Sequence, residues 1–273
     1  MRYTPLWEVP ADLWEKIQEV LPKEKPAGSR GRPALPNRQV FNGILFVLRS
    51  GCPWKGLKKE GLGASRSVPA RFQAWNEAGL WKKIFRGRGT YDDQERRIQW
   101  KWQAIDSKMV AAPLGGDLTG PNPTDRAKSG SKRHILVDQR GAPLSILITA
   151  ANAHDIPWAL TRVDRPIIAR PKTQYRVHHL CADKGYDSDP FRGKLRKRKI
   201  VPHIRKRTYP SRPTPPPLES QLPPARRWVV ERTLSWQDDF RSLWVRWAKK
   251  SSHWLALIYL ACTFVLWSMC SHA

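Results

Sequence analysis

Acidic side chains are scarce in this sequence. Only 23 Asp and Glu stand against 49 Lys and Arg, a formal net charge of +26 and a pI near 10.5. At that balance, binding to a phosphate backbone is the first explanation to test, although ribosomal and membrane-surface proteins are equally basic. Cysteine is scarce too. Cys52, Cys181, Cys262 and Cys270 form no CxxC pair and do not cluster with histidine as a zinc site requires, which fits a reducing cytoplasm. No continuous apolar stretch of signal-peptide type opens the chain, because Trp7, Glu8, Pro10 and Asp12 follow Arg2 closely, so secretion is not expected. Long uncharged runs are rare, with one exception at 254–270, just after Lys249 and Lys250. A membrane-spanning helix takes about 20 residues, whereas a helix buried in a large core is apolar all round. The second is expected here, with no membrane partner.

What is present in quantity is tryptophan, 14 residues in a chain of 273. Most are expected to pack an interior, with some rings left to stack on bases. The length allows one large domain or two smaller ones, and the pattern changes near residue 95. Residues 1–95 read as helical. The segment 10–21 puts Leu13, Trp14, Ile17, Val20 and Leu21 at helical spacing, and a stretch rich in Gly, Pro and basic residues at 22–36 ends it. A second helix after Pro36 carries Val40, Phe41, Ile44, Leu45, Val47 and Leu48 and stops at 50–53. A third is expected over 67–85. Together these make a small bundle of helix-turn-helix kind. Arg66 and Arg71, with Lys82, Lys83, Arg86 and Arg88, would meet phosphates or form a solvated basic face.

Residues 96–273 alternate between short apolar runs and turns. Strands are expected at 102–110, 134–137, 143–149, 176–182 and 200–204, with helices at 155–163 and 189–199, which makes an α/β core. Residues 190–218 hold ten Lys and Arg and no acid, and run into a proline-rich stretch at 208–225 that should be extended linker. A helix from about 225 spaces Val229, Trp236, Phe240, Leu243, Trp244 and Trp247 along one face and leaves Glu231 on another.

Three carboxylates, Asp106, Asp183 and Glu231, end or follow apolar stretches in this basic chain. A lone acid in such a place is ordinarily a cap or a salt-bridge partner. Two or three converging from separate segments hold a pair of divalent cations roughly 4 Å apart, the arrangement that serves phosphodiester cleavage. Asp138, His154, Asp155, Asp187 and Asp189 are read as structural, Asp155 and the Asp187 to Asp189 stretch as helix N-caps.

Long ordered segments sharpen this reading. They include Arg30-Gly31-Arg32-Pro33, Leu48-Arg49-Ser50-Gly51-Cys52-Pro53-Trp54, Arg71-Phe72-Gln73-Ala74-Trp75 and Asn122-Pro123-Thr124-Asp125-Arg126. Further along stand Gly130-Ser131-Lys132-Arg133-His134, Ala151-Asn152-Ala153-His154-Asp155, Ala182-Asp183-Lys184-Gly185-Tyr186-Asp187 and Trp228-Val229-Val230-Glu231-Arg232-Thr233. In this order they resemble the insertion-sequence five family of bacterial DDE transposases over nearly the whole chain. The resemblance implies a ribonuclease H-like catalytic domain with a mixed sheet, preceded by the helical DNA-binding region. It implies Asp106, Asp183 and Glu231 as the catalytic and metal-binding triad, with Mg²⁺ or Mn²⁺ as the cofactor, two ions in all. The activity implied is cleavage and strand transfer of double-stranded DNA at the element's terminal inverted repeats and its target, by a homo-oligomer of at least two subunits in the cytoplasm, at the nucleoid. DNA contacts are expected from Lys132, Arg133, Lys184, Arg227, Arg232 and Arg241. Many relatives carry a Lys or Arg about two turns past the glutamate. Here Asp238 and Asp239 occupy that stretch, which leaves a second reading, a DNA-binding descendant without activity.

Overall fold

The computed structural model describes residues 7–24, 34–58, 62, 66–170, 179–207 and 226–271. The linker expected at 208–225 and the start of the strand expected at 176–182 lie outside the described residues.

Four helices open the chain: α1 (Ala11–Gln18), α2 (Asn37–Ser50), α3 (Ser67–Glu77) and α4 (Leu80–Gln94). The single helix expected over 67–85 is broken in two, because Gly79 takes a left-handed conformation (φ 67°) that no helix continues through. The break turns Trp81 back onto Phe72 and Phe41, with ring centroids 5.3 and 6.0 Å apart. Burying each such ring stabilises the bundle by about 1.5–3 kcal/mol.

The second half is one mixed sheet: β1 (Trp102–Ala111), β2 (Gly120–Pro121), β3 (Ser129–Asp138), β4 (Pro143–Ala150), β5 (His179–Ala182) and β6 (Val201–Ile204). β4, β3 and β1 run antiparallel in that order, and β5 and β6 extend the sheet parallel to β1. The short β2 adds to the end of β3. Three antiparallel strands continued by two parallel ones is the ribonuclease H-like arrangement. β3 is longer than the expected 134–137, because Gly130 to Arg133 also pair with β1. Helix α5 (Ile156–Asp164) follows β4, and α6 (Asp189–Lys197) makes the crossover from β5 to β6.

Helix α7 (Trp228–Asp238) packs across β1 and β3, and α8 (Ser251–Ser271) lies against α4, β4 and α7. Phe85 of α4 stacks on Tyr259 of α8 at 5.6 Å, so the bundle and the sheet share this helix. By length and composition alone α8 could cross a membrane, but 67% of its apolar stretch is buried inside the protein, as expected of a core helix. Its start is pinned. Asp117 accepts from the Ser251 backbone N–H, and the fully buried Arg246 donates to Ser131, Asp117 and the carbonyls of Leu118, Ala248 and Lys249.

The helix expected to run from 225 through Trp247 ends instead at Asp238, and a short 3-10 turn, Arg241–Leu243, replaces its continuation. Two acids at a helix C-terminus oppose its dipole, and Asp238 is drawn into the sheet by Lys108 and Arg133. Trp244 and Trp247 therefore leave the apolar stripe and stand 55% and 60% exposed.

Candidate active site

Asp106 and Asp183 are brought together by strand register. Ala104 of β1 is paired in parallel with Cys181 of β5. Two residues further along each strand stand Asp106 and Asp183, and every second side chain shares a face. Both carboxylates therefore reach the same level on one side of the sheet. Each is oriented by backbone: the Ser107 N–H donates to Asp106 Oδ1 and the Gly185 N–H to Asp183 Oδ1, both at 2.8 Å. The second contact needs glycine, since a Cβ at 185 would lie 2.9 Å from that oxygen.

Glu231 comes from α7, which buries Val229, Val230, Thr233, Leu234 and Gln237 and leaves the glutamate on its free side. The helix is fastened to the β3–β4 turn. Thr233 Oγ1 donates to the Gly141 carbonyl at 2.8 Å, and Arg232 Nη2 to that of Arg140 at 2.6 Å. Gly141 has φ +92°, and a Cβ there would meet Thr233 Oγ1 at 2.8 Å. Gly141→Ala is therefore expected to destabilise the protein by at least about 1–2 kcal/mol from backbone strain, and to loosen α7. Gly193→Ala, on α6 with nothing within 4 Å of the new Cβ, should be neutral or stabilising by up to about 1 kcal/mol. Paired thermal denaturation checks both, and equal midpoints would refute the account of the turn.

Electrostatics tie the three acids together. Burial pushes the Asp106 carboxyl up to about 6; the Ser107 N–H opposes the shift, Asp183 and Glu231 add to it, and Arg227 counters it. Glu231 is half-exposed and ion-paired with Arg227, one turn back at 2.5 Å. An all-oxygen donor set with surplus negative charge suits a hard divalent cation, and Asp106 and Asp183 each keep one oxygen clear of the backbone hydrogen bonds given above. The arrangement is open. Among the described residues no three His, Cys, Asp or Glu side chains are gathered closely enough to enclose an ion, and Glu231 faces Arg227. The residues fit the group in chemistry, with the glutamate still to be turned inward.

The basic residues expected to touch DNA divide sharply. Lys132 is buried, its Nζ bound to Asp155 Oδ1 (2.9 Å) and the Ala153 carbonyl (2.8 Å). Arg133 is buried too, bound to Asp238 at 2.6 Å, and Arg71 reaches Asn37 Oδ1 at 2.6 Å. These three are turned to internal partners. Arg232 is half-buried between the rings of Trp228 and Trp236, 4.8 and 4.6 Å from their centroids. Arg66, Lys184, Arg227 and Arg241 are exposed.

Several acids set aside as structural behave so. Asp138 accepts from the backbone N–H groups of Gln99, Arg140 and Ala142, and Asp187 pairs with Arg192 at 2.8 Å. Neither Asp155 nor the Asp187 to Asp189 stretch caps a helix through a side chain. Asp155 instead gathers Lys132, the Ser107 hydroxyl (3.3 Å) and the edge of His134 (3.5 Å) beside the acid pair. His134 is kept neutral by burial, its pKa lowered to about 4, and bonds Thr149 Oγ1 at 2.8 Å. Sequence reading missed this cluster. Its only signal was the period-two placement of Lys132 and His134 on β3.

Known proteins match this chain in two stretches. Residues 9–85 fit the family model described as "Putative transposase of IS4/5 family", and residues 102–266, more than half of the chain, fit the one described as "Transposase DDE domain". The chain belongs to the IS4/5 transposases. Among relatives of this IS4/5 transposase, the "Putative transposase for insertion sequence element IS402" of Burkholderia cepacia is 38% identical over 169 residues, 60% of this chain and 74% of the relative. A second, "Insertion element IS402 uncharacterized 16.2 kDa protein" of the same organism, is 31% identical over 115 residues, 41% of this chain and 78% of its own length. Among solved structures, the piggyBac transposase in a synaptic complex with hairpin DNA aligns with a TM-score of 0.44 and 12% identity, over 97% of this chain and 73% of that one. A likeness that remote adds nothing to the assignment, which rests on the two family matches and the 38% identical relative.

Proposed function

We propose that Asp106, Asp183 and Glu231 are the acid triad with which this transposase cuts insertion-sequence ends and joins them to target DNA, residues 1–95 binding the ends and 96–273 carrying the chemistry. The observation that carries the proposal is the register of β1 with β5, which sets two aspartates level on one side of the sheet within the field of a glutamate from α7. Mg²⁺ or Mn²⁺, two ions when bound, would supply an activated oxygen nucleophile and stabilise the departing oxygen. The chain's own part is to orient two carboxylates through the Ser107 and Gly185 N–H groups, to bring Glu231 on a fastened helix, and to hold DNA. For the last, Lys184, Arg66 and Arg241 are exposed and would meet phosphates, joined by Arg227 once Glu231 leaves it, on duplex DNA bearing the element's terminal inverted repeats. Pairing two ends calls for at least a dimer, working on DNA in the cytoplasm.

The other reading, a DNA-binding descendant without activity, drew on Asp238 and Asp239. Asp238 has a structural use, binding Lys108 and Arg133, so its place after Glu231 is no mark of lost activity. The test is incubation of the full chain with a duplex carrying the element's own termini. Nicked and joined products are expected in Mg²⁺ and none in EDTA; binding without cleavage in either Mg²⁺ or Mn²⁺ would establish the inactive descendant instead.

A further inference from the structure

β6 runs parallel to β5 in a register that pairs Ala182 with Ile204. One residue further along each strand come Asp183 and Arg205, and alternation puts both on the face that carries Asp106. Asp106, Asp183 and Arg205 thus stand level on β1, β5 and β6, with about 4.8 Å between neighbouring strands. The backbone that presents Arg205 is held on both sides by one ion pair. Arg192 Nη2 binds Asp187 Oδ1 at 2.8 Å and donates to the Ile204 carbonyl at 2.7 Å, while Asp187 Oδ2 accepts from the Arg207 N–H at 2.7 Å. Arg207 Nε also donates to the Lys184 carbonyl at 3.0 Å, which ties the segment to the turn after Asp183. Of the cations that follow β6, Arg207 is therefore engaged, and Lys206 alternates away from the acid face. Arg205 is exposed and makes no hydrogen bond or ion pair among the described residues.

We propose that Arg205 is a DNA-binding residue of the acid site, taking a phosphate beside the scissile one on the strand being cut, on the side of Asp183 away from Asp106. A guanidinium on a fixed backbone presents its planar fork to two phosphate oxygens at once. The opposite side of the row is served by α7, which crosses β1 and β3 and sets Arg227 within the field of Asp106. A DNA strand drawn across the acids would therefore meet a cation at each end of the row. The inference rests on the triad proposed above and names the contact that aligns its substrate. It also singles out one residue of the basic stretch 190–218, where sequence alone ranks none above another.

The test is Arg205→Gln in the full chain, beside wild type, Arg205→Lys and Arg196→Gln. Arg196 is an equally charged, exposed residue near the C-terminal end of α6, which the β5–α6–β6 crossover carries to the other end of the sheet from the acids. Binding of end-bearing duplex is measured over a salt series in EDTA. The dependence of log affinity on log salt should lose about one unit of slope in Arg205→Gln, while Arg205→Lys and Arg196→Gln keep the wild-type slope. An uncharged methylphosphonate beside the element's terminus should weaken binding by wild type and cost Arg205→Gln much less. A wild-type slope in Arg205→Gln overturns the proposal, as does an equal loss in Arg196→Gln, which marks a diffuse positive field. A methylphosphonate cost undiminished in Arg205→Gln overturns it too, since the contact then lies elsewhere on the duplex. The failures are separable, because binding in EDTA needs no metal: if wild type binds the ends and never cuts them in Mg²⁺ or Mn²⁺, the triad falls and Arg205 is judged on binding alone.

Discussion

Asp106→Asn is expected to lower Mg²⁺-dependent strand cleavage about a thousandfold or more while leaving the protein at least as stable as wild type. The first half follows from chemistry: an amide cannot supply the negative charge that holds a hard cation, and a cation's contribution of several kcal/mol corresponds to a factor of that size. The second half follows from burial. Burial pushes the folded carboxyl up to about 6 from an ordinary aspartate value of 3.8, so its protonated form is the one the fold prefers. Such a group adds stability below the unfolded pKa, and that stability is lost as pH rises through about 6. At pH 8 without metal, the ionised carboxylate is thus a net cost on the order of 3 kcal/mol, which a neutral amide relieves. Asn also keeps an oxygen for the Ser107 N–H. Thermal denaturation of both proteins at pH 8 in EDTA, alongside cleavage of end-bearing duplex in Mg²⁺, measures the two halves separately. Cleavage within tenfold of wild type in a folded Asp106→Asn protein would remove Asp106 from the mechanism.

The parts of the site that were legible in sequence are those set by local pattern. The apolar run ending in Ile105 announces a strand that carries Asp106, the one ending in Ala182 a strand that delivers Asp183 at its end, and the uncharged stretch at 254–270 announces the core helix α8. Features set by tertiary partners were not legible. Trp236, Phe240, Leu243, Trp244 and Trp247 keep helical spacing, yet the helix stops where Asp238 is bound across the sheet. Asp155 precedes a helix as a cap would, but Lys132 and Ser107 reach its carboxylate from β3 and β1. Lys132 and Arg133 read as surface cations in a basic chain. They point to opposite faces of β3, and both faces are covered, one by the Asp155 cluster and the other by α7. Period-two alternation tells which residues share a face, not that both faces of this strand lack solvent.

Asp238→Ala carries the largest expected effect on stability, and it arises from that covered face. Arg133 is 1% exposed, with Asp238 at 2.6 Å and the Leu243 carbonyl at 3.4 Å. Burial lowers the Arg133 pKa, and Asp238 works against that shift. Removing the acid leaves a guanidinium in a dry interior with one weak acceptor. Breaking a buried pair from one side costs about 3–5 kcal/mol, a fall in melting temperature on the order of 10 °C for a protein of this size. Lys108, the other partner of Asp238, is 43% exposed and can turn to water. The same loss frees the C-terminal end of α7, the helix that carries Glu231, so cleavage should fall along with stability. Arg133→Met in the Asp238→Ala background discriminates between a lost attraction and a stranded charge. An apolar side chain of similar length has no charge to desolvate, so the double variant should recover most of the lost melting temperature. If the double variant melts as low as Asp238→Ala alone, the stranded guanidinium is not the cause, and the role of Asp238 is confined to ending α7.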